Sequence, residues 1–139
     1  MYKAQNLLRR YYHEKEGDHH LSHGFVNSAR AGRRVSENDF KADTTEQVVS
    51  LCTADPGEPL YQQAVNFCHG YLVGAYKYYE AAHSGPKALK MVCLPDPQPT
   101  RDEAIQMFME WAKAHRQYMN ESPVETEFRF LMEKWPCKP

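Results

Sequence analysis

Apolar residues recur three or four positions apart in four segments of the chain, which is the pattern of helices that bury one face. The segments lie at about residues 43–52, 59–83, 100–115 and 122–135. The second has the longest stripe, formed by Leu60, Ala64, Cys68, Tyr71, Leu72, Ala75, Tyr79 and Ala82. The fourth is predicted to bury Val124, Phe128, Leu131 and Trp135. The pattern predicts an all-α fold, a small bundle of four main helices.

Capping signals support the predicted starts of these helices. Three pairs have the spacing of a capping box, namely Asp43 with Glu46, Thr100 with Glu103, and Ser122 with Glu125. Pro59 and Pro123 suit the first position of the second and fourth helices. The prolines between Leu94 and Pro99 restrict the residues before them, so we predict an extended crossing there.

Two glycines lie four residues apart in the second predicted helix, at Gly70 and Gly74. Each costs about 1 kcal/mol relative to alanine in a helix interior. Close approach of another helix would compensate for that cost, so we expect both to be helix-packing glycines. The neighbouring residues are too polar for a membrane helix-pairing motif.

Residues 1–38 differ from the rest of the chain, since helical periodicity is plausible only at about residues 2–14. We predict an N-terminal extension, poorly structured or partly helical, that is either flexible or foreign to the natural protein, followed by a helical domain at residues 39–139. Three histidines lie in the extension: His19, His20 and His23. A flexible tail is the commoner setting for such a cluster, so we predict no metal and no cofactor. No signal peptide is visible in the chain.

The charge is unevenly distributed along the chain. Residues 1–35 hold seven Lys or Arg and three acidic residues, whereas residues 36–139 hold ten and fifteen. An acidic domain argues against a nucleic-acid partner, because neutralising phosphates needs a basic face. No run approaches the roughly 18 apolar residues of a membrane span. We therefore expect a protein partner, with neither nucleic acid nor membrane bound.

The four cysteines are widely spaced, at Cys52, Cys68, Cys93 and Cys137. None forms a C-x-x-C pair, which argues against a zinc ribbon or a thioredoxin-like redox site. In an antiparallel bundle, the start of the third helix and the end of the fourth lie together. This favours a Cys93–Cys137 disulfide and leaves Cys52 to pair with Cys68. Such a framework indicates an oxidising compartment.

No arrangement of residues with catalytic spacing is apparent. Cys68 and His69 are adjacent, and neighbours on a helix point about 100° apart. Glycine-rich phosphate loops and the H-E-x-x-H zinc motif are absent from the sequence. We predict that the protein is not an enzyme.

Tyrosines on the second helix are candidate partner contacts, because tyrosine is enriched at interface hot spots. We expect Tyr76 and Tyr78 to face a partner or a second subunit. The loops at residues 85–100 and 114–122 are candidate blocking elements, and the sequence does not choose between them. The second loop supplies further candidate contacts, which are His115, Arg116, Gln117 and Tyr118.

Three motifs taken together resemble the Rap/Tai immunity family. They are Phe67-Cys68-His69-Gly70-Tyr71-Leu72-Val73-Gly74, then Val92-Cys93-Leu94-Pro95, and finally Trp135-Pro136-Cys137. The resemblance covers about residues 39–139. It implies a periplasmic homodimer, from a bacterium with type VI secretion, that occludes the active site of a peptidoglycan amidase toxin. The chain departs from the family pattern where His115 is followed by Arg116 rather than proline.

Two other hypotheses remain open at this point. The first is a periplasmic acid-stress chaperone of the small disulfide-bonded helical type, which would bind clients at low pH as its dimer dissociates. The second is a structural or lipid-binding helical domain, which an apolar internal pocket would distinguish.

Overall fold

The structure is a computed structural model that describes residues 33–138. The α-helices in this range are α1 (Thr45–Cys52), α2 (Tyr61–Ala82), α3 (Arg101–Ala114) and α4 (Pro123–Lys134). Two 3-10 segments, Glu37–Lys41 and Arg116–Tyr118, accompany them. The β pairing of the described residues is a single antiparallel bridge between Val92 and Pro136. The predicted all-α bundle of four main helices is confirmed.

Packing begins at the start of the described range. Val35 is buried, and its N–H donates to Glu58 Oε2 at 2.7 Å. Asp39 is also buried, and its carboxylate accepts from the N–H and the hydroxyl of Ser36 at 2.8 and 2.9 Å. Two of the residues in these contacts, Val35 and Ser36, precede the predicted domain boundary at residue 39. The extension up to residue 32, with His19, His20 and His23, lies outside the described residues.

The capping interactions follow the prediction at one helix and differ at two others. The Thr100–Glu103 capping box of α3 is confirmed, with Thr100 N–H donating to Glu103 Oε2 at 2.8 Å. At α1 the box lies one residue later than predicted, because the side chain of Gln47 accepts the N–H groups of Asp43 and Thr44. The N-cap of α1 is therefore Thr44.

The predicted first turns of α2 and α4 need correction. The N-cap of α2 is Leu60, so Pro59 precedes the helix. Pro123 does take the first position of α4, but Ser122 makes no side-chain cap. The expected partner of that cap, Glu125, instead accepts from Arg129 Nη2 at 2.7 Å.

The buried face of α4 also differs from the prediction. Val124 is exposed and Phe128 and Trp135 are half-buried, whereas Thr126, Glu127, Phe130 and Leu131 are buried with Pro123. Thr126 is accommodated because its hydroxyl lies 2.8 Å from that of Thr45 in α1. The hydrophobic pattern missed this face because two of its residues are polar.

Both predicted disulfides are confirmed. Cys52 at the end of α1 is bonded to Cys68 in α2, and Cys93 is bonded to Cys137. The second bond lies beside the Val92–Pro136 bridge, where Cys93 N–H donates to the carbonyl of Trp135 at 2.9 Å. The segment before α3 is thereby fixed to the end of α4.

Among residues 33–138, no other helix packs against the two glycines of α2. Gly70 and Gly74 are both exposed, and a Cβ added at either would meet no atom within 4 Å. They lie on the opposite side of α2 from its buried residues, which are Ala64, Cys68, Leu72 and Tyr79. The predicted close approach of another helix is not made within residues 33–138, and it stays a prediction. Among the described residues, no helix has the length and apolarity needed to cross a membrane.

Candidate partner-binding surface

The segment between α2 and Val92, residues 84–91, forms an exposed loop that we call the 84–91 loop. Gly85 and Pro86 stop the helix, and Ala88 N–H donates to the Gly85 carbonyl at 3.0 Å, which closes a turn. Leu89 follows this turn with 86% of its surface exposed. An exposed large apolar side chain at a loop tip is a candidate anchor for a partner.

The 84–91 loop is basic, although the surrounding domain is acidic. Lys87 and Lys90 are exposed on either side of Leu89, and the loop contains no acidic residue. Residues 36–139 as a whole have five more acidic than basic residues. The loop therefore presents a local positive charge together with an apolar tip, which suits an acidic groove on another protein.

The base of the 84–91 loop is held by Tyr79. This buried side chain accepts two backbone hydrogen bonds, from Met91 N–H at 2.7 Å and from Val92 N–H at 3.0 Å. Its ring packs against Phe128 and His83 at centroid distances of 5.0 and 4.4 Å. Together with the Cys93–Cys137 disulfide, Tyr79 fixes the end of the loop, so little conformational entropy is lost at that end on binding.

Replacing Tyr79 with phenylalanine removes both hydrogen bonds while keeping the ring. We expect Tyr79→Phe to lower the free energy of unfolding by about 1–3 kcal/mol, because it leaves the buried N–H of Val92 and the part-buried N–H of Met91 without this acceptor. Hydrogen exchange should show faster exchange at the amides of Met91 and Val92. Tyr78→Phe, at an exposed position, is the control. Unchanged protection at both amides in Tyr79→Phe would show that the hydroxyl does not anchor the loop.

The two tyrosines predicted to face a partner have different surroundings. Tyr78 is 77% exposed and is available for contact. Tyr76 is half-buried, with its ring 6.1 Å from that of Tyr79. Burial and the neighbouring Glu80 carboxylate raise the pKa of Tyr76 to about 12. Tyr76 therefore contributes to the packing of α2 as well as to its surface.

The partner contacts predicted in the turn that joins α3 to α4 also differ in their exposure. His115 and Tyr118 are half-buried and stack on Trp111, at centroid distances of 4.0 and 5.8 Å. Arg116 and Gln117 are exposed. Only the second pair presents whole side chains to a partner.

The same turn also has a structural role. The carbonyls of Glu121 and Met119 accept the N–H groups of Thr45 and Glu46, each at 2.9 Å. These donors belong to the first turn of α1 and have no acceptor within their own helix. The turn therefore satisfies the start of α1, and its backbone is held close to the bundle.

A cavity of about 220 Å³ lies between α2, α3, α4 and the crossing that precedes α3. It contains Glu127, a buried carboxyl group that the sequence analysis did not single out. Leu89 was likewise not singled out, although its loop was. Among residues 33–138, no group of three or more His, Cys, Asp or Glu side chains is placed to hold a metal ion.

These features define a small disulfide-bonded helical domain with an exposed loop on its surface. The loop carries two lysines and an apolar tip, and its end is fixed by Tyr79. The family model of the Rap1a immunity proteins matches residues 44–137, and the chain belongs to that family. No curated protein and no solved structure matches the chain significantly. Membership confirms the prediction of an immunity protein and implies a partner toxin. It does not favour the acid-stress chaperone.

Proposed function

We propose that this protein binds a cognate type VI secretion amidase toxin in the periplasm and inhibits it by occluding its active site with the 84–91 loop. The observation that carries this proposal is Leu89, 86% exposed on a loop whose base is fixed by Tyr79. The protein acts by stoichiometric binding and catalyses no reaction of its own. Two disulfides support the compartment, because such bonds persist where the environment is oxidising.

The 84–91 loop suits this role better than the turn that contains Arg116–Tyr118. The rings of that turn stack on Trp111, and carbonyls just beyond it accept bonds from α1. A blocking element needs side chains that project beyond the body of the protein into a cleft. Leu89 and its flanking lysines meet that requirement, while Arg116 and Gln117 are placed for contacts at the edge of an interface.

The substitution Leu89→Asp tests the proposed loop. We expect it to raise the Kd for the cognate amidase about 30-fold or more, as for a hot-spot residue worth at least about 2 kcal/mol. Isothermal titration with the cognate amidase measures the Kd, and peptidoglycan hydrolysis measures inhibition. The control is Val124→Asp, at an exposed apolar position of α4. An unchanged Kd for Leu89→Asp would exclude this loop as the blocking element.

We also propose that two copies associate through the exposed face of α2 that contains Gly70 and Gly74. Both glycines face open space, so a second helix can approach the backbone of α2 closely there. Tyr78, 77% exposed on the same helix, adds apolar area near this face. Such an interface would offset the helix-propensity cost of the two glycines, which no contact among the described residues offsets.

Sedimentation velocity tests the association. We expect the wild-type protein to be a dimer at micromolar concentration, and the double variant Gly70→Gln, Gly74→Gln to be a monomer with an unchanged helical circular dichroism spectrum. The larger side chains fit the free protein because the space around both glycines is open. Ala114→Gln, an exposed position at the end of α3, is the control. A dimer that persists in the double variant would exclude this face.

A further inference from the structure

The cavity between α2, α3 and α4 has mainly apolar walls and a definite size. Its volume is about 220 Å³, and its apolar lining includes Leu72, Ile105, Phe108, Phe130 and Trp135. An apolar cavity of about 150 Å³ accommodates one benzene molecule. The cavity therefore has room for a substituted aromatic ring or a short branched chain.

One buried polar atom of a residue that lines this cavity has no hydrogen-bond partner among residues 33–138. Glu127 is 6% exposed, and its Oε2 is buried without a hydrogen-bond partner among the described residues. Such an atom is costly, because it has lost water and gained nothing in return. Burial raises the pKa of Glu127 to about 8, so the neutral carboxyl form predominates at pH 7. In that form it can both donate to and accept from a ligand hydroxyl.

Two cations lie where the same cavity opens to solvent. Lys77 of α2 and Arg101 of α3 both line it and are both exposed. The Nζ of Lys77 lies 2.6 Å from Glu80 Oε2, which compensates part of its charge. The opening thus favours an anionic group, while the interior favours an apolar body and a hydroxyl.

We propose that this cavity binds a small organic acid with an apolar body of about one aromatic ring. Its anionic group lies beside Arg101 and Lys77, and a hydroxyl at its other end bonds to Glu127. This ligand site is separate from the 84–91 loop, and the proposal does not depend on toxin binding. The volume of about 220 Å³ suits a free acid of this size.

A titration followed by nuclear magnetic resonance tests the site, with 4-hydroxyphenylacetate as the probe. We expect saturable shifts at the amides of Ile105, Phe108 and Phe130. Phenylacetate lacks the hydroxyl and tyramine lacks the anion, so each should bind at least about 10-fold more weakly, as for the loss of one favourable interaction. Equal binding of all three probes would contradict the proposed recognition.

Two variants locate the binding in the cavity. Ala104 lines the cavity, so Ala104→Phe should fill it and abolish the shifts, whereas Ala114→Phe, outside the lining, should not. Circular dichroism and thermal unfolding confirm that both variants fold. Absence of saturable shifts in the wild-type protein, or shifts that survive in folded Ala104→Phe, would overturn the proposal. If Ala104→Phe does not fold, Arg101→Glu replaces it, with at least about a 10-fold loss expected.

Discussion

Glu127→Gln is expected to become progressively more stable than the wild-type protein as the pH rises from 5 to 8. Burial raises the pKa of Glu127 in the folded protein to about 8, from 4.5 in an exposed carboxyl group. Between these two values the unfolded chain has released the proton and the folded protein retains it. Folding then requires proton uptake, so the free energy of unfolding falls as the pH rises. The expected fall between pH 5 and 8 is about 3 kcal/mol.

The glutamine variant removes this dependence because it is neutral at every pH and similar in shape. Tyr71 interacts electrostatically with Glu127, and the cations Lys77 and Arg101 line the same cavity. Burial first, and then the charges of Glu127 and Asp43, raise the pKa of Tyr71 above 10, so Tyr71 stays neutral in this range. Titrations elsewhere are common to both proteins and cancel in the difference between them.

Urea unfolding at pH 5, 6.5 and 8 measures the effect. The control is Glu125→Gln, in which an exposed carboxylate paired with Arg129 is replaced. This control should follow the wild-type pH dependence to within about 0.5 kcal/mol, as for most surface substitutions. If the curves of Glu127→Gln and the wild-type protein are parallel, the carboxyl group does not titrate with a raised pKa.

The helices of this fold were predictable from sequence because their stripes are mostly apolar. On α2 the predicted stripe contained every buried residue of the helix, namely Ala64, Cys68, Leu72 and Tyr79. On α4 the predicted buried face was wrong, because it left out Thr126 and Glu127, which are both buried. Hydropathy assigns such residues to the surface, and only tertiary contacts, such as the one between Thr126 and Thr45, reverse that assignment.

The candidate site was less predictable, because it depends on which groups the bundle leaves uncovered. The sequence offered residues 85–100 as one of two candidate loops, but nothing in it distinguished the exposed Leu89 from an ordinary buried leucine. The role of Tyr79 depends on a hydroxyl that meets the amides of Met91 and Val92, twelve and thirteen residues along the chain. The disulfides were predictable because the order of the helices alone places Cys93 near Cys137.

The two disulfides are expected to differ in their effect on toxin binding more than in their effect on stability. The Cys93–Cys137 bond closes 44 residues and the Cys52–Cys68 bond closes 16. Loop-closure entropy then predicts that replacing each pair with serine lowers the free energy of unfolding by about 4 and about 3 kcal/mol respectively. Urea unfolding without reductant measures both values.

Toxin binding separates the two pairs because only one lies beside the 84–91 loop. Cys93 directly follows Met91 and Val92, whose N–H groups donate to the Tyr79 hydroxyl. Loss of the Cys93–Cys137 disulfide therefore frees the base of the loop, and ordering that base on binding then costs conformational entropy. We expect the Cys93→Ser, Cys137→Ser variant to bind the toxin at least about 10-fold more weakly. The Cys52→Ser, Cys68→Ser variant, measured below its unfolding temperature, should bind almost as the wild type does. Equal losses in the two variants would mean that the disulfides support the bundle as a whole, and that the 84–91 loop needs no fixed base in order to bind.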